Sequence, residues 1–324
     1  MQGKVILEEH FATLATIEDS HPFAVDVWDT LGPRLLDLRE MRLPQMDKHG
    51  IEWMILSLNA PAVQAIWDVK RAIAVAREAN DHLAAEVAKQ PDRFVGVAAL
   101  PMQDPDVAAK ELTRCVRELG FKGALVNGFS QVGDENTVAY YDHPSYRPFW
   151  AVVESLGVPF YLHPRNPLPS WVKMYEGQMW LMGPSWGFAA ETAVHALRLI
   201  GSGLFDAHPR LKIILGHLGE GIPFNLWRLD HRNEWMKQRH KYAAKKWVAD
   251  YMRANFWITT SGNFATPSLV ASMAELGADR VMFSTDYPFE DIAQSVEWFD
   301  NAAISEADRL KVGRTNALNL FGMK

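Results

Sequence analysis

The sequence contains a single cysteine, Cys115, in 324 residues. One cysteine cannot form a disulfide within the chain, which excludes a disulfide-stabilised secreted scaffold and fits a reducing cytoplasm. Cys115 lies in a helical pattern of apolar residues, so we interpret it as a packing residue and not as a nucleophile.

Long hydrophobic runs and an excess of basic charge are missing as well. No apolar stretch approaches the roughly 20 residues of a membrane-spanning helix. The N-terminus lacks a basic and apolar leader, because a strand-like run starts by Val5. Lysine and arginine total 33 against 39 acidic residues, which gives a net charge of −6. This balance argues against nucleic acid or a membrane surface as a partner.

Short, mainly apolar runs alternate with helical patterns from end to end. Eight runs have the composition of parallel strands covered on both faces; they span residues 5–8, 53–58, 94–98, 124–126, 159–163, 212–215, 256–260 and 281–284. Helical spacing is clear between them, as in 74–89 and 190–202. The pattern predicts an α/β fold, a (β/α)₈ TIM-type barrel that forms one domain over residues 1–324. A doubly wound open sheet is the alternative, but no Gly-x-Gly-x-x-Gly turn follows the first run.

Two long stretches, 12–33 and 165–188, show neither pattern. They follow the first and the fifth predicted strands, so we expect them to be active-site loops. Phe23 in the first loop could line an aromatic pocket, and packing between loops or subunits is the alternative.

Metal-binding side chains end several of the predicted strands. Glu8 and His10 end the first, where alternation along a strand would place them on one face. His163, His217 and Asp286 follow the fifth, sixth and eighth runs. Because barrel active sites lie at the C-terminal ends of the strands, we expect these five groups to converge. Each one alone has an ordinary structural role as its alternative.

Glu9 would point to the face opposite Glu8, so we leave it out of the predicted site. Imidazole and carboxylate groups together suit a divalent ion such as zinc or manganese.

Four longer motifs resemble the amidohydrolase superfamily. They are Leu7-Glu8-Glu9-His10-Phe11, Tyr161-Leu162-His163-Pro164, Gly216-His217-Leu218-Gly219-Glu220 and Phe283-Ser284-Thr285-Asp286-Tyr287-Pro288. The likeness is strongest to the metal-dependent, non-oxidative decarboxylases. Segments 58–65, 123–128 and 163–167 resemble members that act on 2,6-dihydroxybenzoate. The resemblance implies reversible decarboxylation of an ortho-hydroxybenzoate, in particular 2,6-dihydroxybenzoate, to resorcinol and CO₂, with one divalent ion and no organic cofactor.

The resemblance also implies roles for individual residues. Glu8, His10, His163 and Asp286 would hold the metal, and His217 and Glu220 would form the adjoining catalytic relay. Separately from the resemblance, we predict Phe23, Asn59 and Arg228 as substrate contacts.

The chemistry can be argued independently of the resemblance. Direct loss of CO₂ from a benzoate would leave an aryl carbanion with no place for its charge. An ortho hydroxyl, ionised on the metal, pushes electron density onto the carboxylate-bearing carbon. Protonation there gives a dearomatised intermediate, which regains its ring by losing CO₂. Asp286 is our choice of acid, with His217 held by Glu220 to tune or relay the proton.

Two other functions remain open from the residues alone. One is hydrolysis on the same barrel, as in a lactonase, with metal-activated water and Asp286 as the base. The other is a non-catalytic barrel with a structural metal or none. Arg228 could instead form a surface ion pair. Twelve tryptophans suggest buried interfaces and so a homo-oligomer, for which the resemblance implies a tetramer.

Overall fold

The computed structural model describes residues 1–236 and 242–323, apart from the side chain of Phe23. In this part of the chain, eight strands follow one another in parallel. They are β1 (Lys4–Phe11), β2 (Ile51–Leu58), β3 (Phe94–Gly96), β4 (Ala124–Asn127), β5 (Phe160–His163), β6 (Ile213–Leu215), β7 (Phe256–Thr259) and β8 (Val281–Met282).

Hydrogen bonds between neighbouring strands close the sheet into a barrel. One ladder joins β1 to β3 and a second joins β4 to β8. A parallel bridge between Ala98 and Ala124 links the two ladders. On the other side, the backbone N–H of His10 in β1 donates to the carbonyl of Tyr287, just after β8, at 2.7 Å.

Alternation along the strands separates two apolar layers. Val5, Leu125 and Ile214 belong to the cluster that fills the barrel, whereas Ile6, Phe160 and Ile258 belong to the cluster under the helices. The helices, with their bounds, are α1 (Trp28–Leu36), α2 (Arg42–His49), α3 (Val69–Val87), α4 (Pro105–Arg117), α5 (Arg147–Leu156), α6 (Gly187–Gly201), α7 (Leu204–Ala207), α8 (Ile222–Met236), α9 (Val248–Asn255), α10 (Thr266–Leu276), α11 (Ile292–Asn301), α12 (Glu306–Leu310) and α13 (Asn316–Phe321).

The two ends of the barrel differ in character. Ala317, Leu320 and Phe321 of α13 pack into the interior apolar cluster, which fills the barrel on the side of the strands' N-terminal ends. Polar side chains collect instead at the C-terminal ends of the strands, which is where barrels of this type form their sites. None of the helices in the described ranges has the length and apolarity that a membrane crossing requires.

The predicted barrel and its eight strands are confirmed, with ends that differ by a few residues. The stretch 165–188 contains only short 3₁₀ turns before α6 begins at Gly187. The prediction of an irregular segment over 12–33 is wrong from residue 28 onward, because α1 begins at Trp28. Gly32 and Pro33 disguise this helix in the sequence, yet burial of Leu31 and Leu35 stabilises it.

Candidate metal centre and active site

Four predicted ligands meet at the C-terminal end of the barrel. Ligand atoms of Glu8, His10, His163 and Asp286 all lie within 4.8 Å of one another. Nε2 of His10 is 3.3 Å from Oδ1 of Asp286, and Nε2 of His163 is 3.2 Å from Oε1 of Glu8. The two histidines and Glu8 are buried, and Asp286 is nearly so.

A bulge in β1 brings Glu8 and His10 to the site. Val5 and Leu7 point into the barrel, so strict alternation would send both residues outward. The pairing with β2 shifts between Ile6 and Glu9, and Glu8 has a left-handed backbone with φ +67°. One extra residue therefore reverses the phase of the strand and turns His10 inward. The predicted convergence is found, but alternation alone is the wrong reason for it.

Three hydroxyl groups fix the carboxylate of Glu8. Its Oε2 accepts hydrogen bonds from Tyr161, from Thr259 at 3.1 Å and from Ser261. Its Oε1 is buried without a hydrogen-bond partner and faces the histidines. Burial alone would raise the pKa of Glu8, but His217 and His163 outweigh it and hold the pKa well below its ordinary value. Glu8 is therefore a charged carboxylate whose Oε1 is oriented to bind a metal ion.

Both histidines are oriented through Nδ1. Nδ1 of His163 lies 2.8 Å from Oδ1 of Asn127, and Nδ1 of His10 lies 3.3 Å from Oγ of Ser57. Nε2 of His10 is buried with no hydrogen-bond partner. Burial also lowers the pKa of His163, which favours the neutral ring that a metal ligand requires. Unpartnered Nε2 and Oε1 atoms, braced by outer hydrogen bonds, fit a divalent cation.

His217 and Glu220 form a pair beside this cluster. Nδ1 of His217 lies 2.8 Å from Oε1 of Glu220, and its Nε2 lies 3.6 Å from both Glu8 and Asp286. Burial lowers the pKa of His217, but Glu220 and Glu8 outweigh that effect and raise it well above its ordinary value. These carboxylates thus favour the charged form of His217, whose Nε2 faces two of them. Gly216 allows this approach, since a Cβ there would lie 2.9 Å from Oε1 of Glu8.

Backbone strain concentrates at the same residues. Six non-glycine residues in the described chain have positive φ angles, and four of them are Glu8, His217, Glu220 and Asp286. Such conformations cost about 1–3 kcal/mol each and persist only where the surroundings enforce them. This distribution supports a functional site.

A cavity of about 180 Å³ opens above the cluster. His10, His163, His217 and Asp286 contribute to its floor, and the loops after β1 and β5 supply much of the wall. Most of that wall is apolar, formed by Ala24, Val27, Leu31, Ala60, Pro184, Phe188 and Phe289. A flat, largely apolar ligand with polar groups on one edge suits this shape.

Of the three predicted substrate contacts, two do not line the cavity, and the third has a side chain outside the described part of the structure. Asn59 is fully buried behind the wall, where its amide donates to the carbonyl of Thr16 at 2.9 Å and to Oγ of Ser20 at 2.7 Å. Its position indicates that it holds the β1 loop. Arg228 is on the exposed side of α8 and does not line the cavity of its own chain. The side chain of Phe23 lies outside the described part of the structure.

Glu9, which we left out, is not part of the cluster. It is buried on the far side of β1, where it accepts hydrogen bonds from the segment that carries Asp286. Burial raises its pKa to about 8.

Three site residues were not predicted from the sequence, namely Tyr161, Thr259 and Ser261, the hydroxyl donors to Glu8. A signal for them was present, because Tyr161 alternates with His163 in β5 and Thr259 alternates with Ser261 at the end of β7. We treated both runs simply as apolar strands.

Comparison with known proteins agrees with this geometry. The amidohydrolase family model matches residues 21–323. This chain belongs to the amidohydrolase family. It is 63% identical to the γ-resorcylate decarboxylase of Rhizobium radiobacter, over 99% of this chain and 98% of that protein. The resemblance to metal-dependent decarboxylases, predicted from the motifs, is confirmed.

Two solved structures share the whole fold. A 2,6-dihydroxybenzoate decarboxylase in complex with 2,6-dihydroxybenzoate matches with a TM-score of 0.97 and 62% identity, covering 100% of both chains. The dihydroxybenzoic acid decarboxylase of Polaromonas sp. JS666 was solved with bound manganese and the inhibitor 2-nitroresorcinol. It matches with a TM-score of 0.97 and 61% identity, covering 99% of this chain and 97% of that one.

Proposed function

We propose that this amidohydrolase-family protein decarboxylates an ortho-hydroxybenzoate, namely 2,6-dihydroxybenzoate, to resorcinol and CO₂. The observation that carries the proposal is the ligand cluster beneath the cavity, where Oε1 of Glu8 and Nε2 of His10 are buried without hydrogen-bond partners. The high identity to 2,6-dihydroxybenzoate decarboxylases supports the choice of substrate. The reaction is non-oxidative and reversible, and it needs no organic cofactor.

Glu8, His10, His163 and Asp286 would hold one divalent ion in this proposal. The manganese in the Polaromonas relative supports manganese, and the imidazole and carboxylate donors accommodate zinc as well. When bound, the ion would act as a Lewis acid that favours ionisation of the substrate's ortho hydroxyl.

Side chains of the protein then carry out the proton transfer. The carboxyl group of Asp286 delivers it to the ring carbon that bears the carboxylate, and loss of CO₂ restores the aromatic ring. Nε2 of His217, 3.6 Å from Oδ2 of Asp286, then reprotonates Asp286 with a proton that comes from solvent, and Glu220 orients His217 for this transfer. The apolar wall orients the ring and limits the access of water.

We further propose that the active form is a homotetramer in the cytoplasm. An exposed aromatic face on α8 supports association with further copies, because Phe224, Trp227 and Trp235 are each at least 74% exposed. The single buried cysteine supports a reducing compartment. Light scattering should report four chains per particle, and Trp227→Lys should reduce that number; a monomeric wild-type protein would contradict the assembly.

The function is tested by metal removal with a product assay. Chelator treatment should abolish resorcinol formation from 2,6-dihydroxybenzoate, and added manganese or zinc should restore it. His163→Ala should lose both metal and activity. His143→Ala, which alters an exposed histidine outside the cluster, is the matched control and should keep both. Full turnover by metal-free wild-type protein would refute the proposal.

A further inference from the structure

Glu9 accepts hydrogen bonds from the backbone on both sides of Asp286. Its Oε1 accepts from the backbone N–H of Thr285 at 3.0 Å, and its Oε2 accepts from the N–H of Tyr287 at 3.2 Å. The Thr285 hydroxyl adds a bond of 2.6 Å to Oε2, and the Ser284 hydroxyl adds one of 3.3 Å to Oε1. One side chain of β1 therefore fixes the whole turn that follows β8.

The backbone conformation of Asp286 has to be held in place by such hydrogen bonds. Its φ of +69° lies in a region that residues with a Cβ rarely adopt, and this conformation persists only where the surroundings over-determine it. The two residues that flank it are the ones whose N–H groups Glu9 holds. The link also sets the distance between β1, which carries His10, and the turn, which carries Asp286.

Arg42 braces the same two elements from the helix side. Its Nη2 donates to the carbonyl of His10, and its guanidinium lies 4.8 Å from the centre of the Tyr287 ring. Glu9 forms no ion pair within residues 1–236 and 242–323. Burying an acidic side chain without an ion pair destabilises the fold unless its hydrogen bonds compensate. Its retention is explained if the geometry that it imposes is needed for activity.

We infer that Glu9 is a positioning residue that sets the Asp286 carboxylate for metal binding and proton delivery. The inference rests on the proposed function, since it assigns Glu9 no chemistry of its own. It predicts that Glu9 acts through Asp286 and through no other group of the site.

Glu9→Gln is the direct test, because it keeps the size of the side chain and removes one acceptor oxygen. In either orientation of the amide, an N–H group would face a backbone N–H of Thr285 or Tyr287. The variant should lose about 10- to 100-fold in kcat and in manganese affinity measured by calorimetry without turnover. Glu111→Gln is the matched control, since Glu111 is a buried carboxylate on α4 outside the cavity. It should change the melting temperature but neither of these quantities.

A double-mutant cycle with Asp286→Asn isolates the link. In the Asp286→Asn background, Glu9→Gln should leave kcat unchanged within about twofold. Equal losses in the two backgrounds would show a general structural role and overturn the inference, as would normal kcat and manganese affinity for Glu9→Gln. If Glu9→Gln does not fold, Thr285→Val is the substitute test. It removes only the 2.6 Å hydrogen bond from the Thr285 hydroxyl to Glu9 and should lower kcat and manganese affinity by smaller factors. Normal turnover by Asp286→Asn alone would instead contradict the proposed function, and manganese affinity would still decide the role of Glu9.

Discussion

Replacing Tyr161 with phenylalanine should weaken metal binding without disturbing the fold. The Tyr161 hydroxyl is one of three that donate to Oε2 of Glu8 and thereby turn Oε1 towards the site. Burial and the nearby Glu8 raise the pKa of Tyr161 well above its ordinary value, so the hydroxyl stays a donor. A hydrogen bond to a charged group contributes about 1.5–3 kcal/mol. Because about 1.4 kcal/mol corresponds to a factor of ten, manganese affinity should fall about 10- to 100-fold.

Calorimetric titration of manganese into chelator-treated protein measures this effect. Tyr146→Phe is the matched control, because the buried Tyr146 hydroxyl donates to the carbonyl of Met102 at 2.6 Å, away from the cluster. It should cost stability but leave manganese affinity unchanged. If Tyr161→Phe binds manganese as the wild type does, Glu8 is not oriented in the way that we describe.

Three further predictions concern other buried groups. Glu220→Gln should lower kcat about 10²-fold or more and keep manganese affinity, since Glu220 contacts His217 but not the ligand cluster; loss of metal in this variant would count against the assignment. Burial lowers the pKa of His195 to about 3 from an ordinary value of 6.5. The unfolded chain therefore binds a proton that the folded one does not, and stability falls as the pH drops from about 6.5 towards 3. Urea unfolding at pH 7 and pH 5 measures this loss of stability, which should be smaller in His195→Gln than in the wild type. An equal loss in both proteins would contradict the prediction. Burial raises the pKa of the Cys115 thiol, so iodoacetamide should label the unfolded protein but not the native one, as mass spectrometry would show.

Much of the barrel could be predicted because its strands are local, mainly apolar runs. The side chains that end those runs are equally visible, since His163 is the last residue of a strand and His217 and Asp286 each follow one by a few residues. Periodicity failed where tertiary contacts override local preference. Helix α1 is an example, because Gly32 and Pro33 hide a helix that burial of its apolar face stabilises.

The finer geometry of the site depends on contacts across the barrel, which a single sequence does not show. The bulge at Glu8 uses no glycine, so nothing in the sequence marks the positive φ angle. The hydroxyl donors to Glu8 come from strands 153 to 253 positions away. The sequence predicts Asn59 and Arg228 as substrate contacts, yet Asn59 is behind the cavity wall and Arg228 is on an exposed helix face. Only the folded chain reveals these placements.

The central claim is that this site protonates the carboxylate-bearing carbon of an ortho-hydroxybenzoate and then releases CO₂. Turnover of 2,6-dihydroxybenzoate by the manganese-loaded protein in D₂O tests it most directly, with the product analysed by mass spectrometry and NMR. The product should be resorcinol with one deuterium on the carbon that carried the carboxylate, and 4-hydroxybenzoate should not react, because its phenol and carboxylate oxygens are too far apart to share one metal. Absence of resorcinol, or equal turnover of 4-hydroxybenzoate, would contradict it.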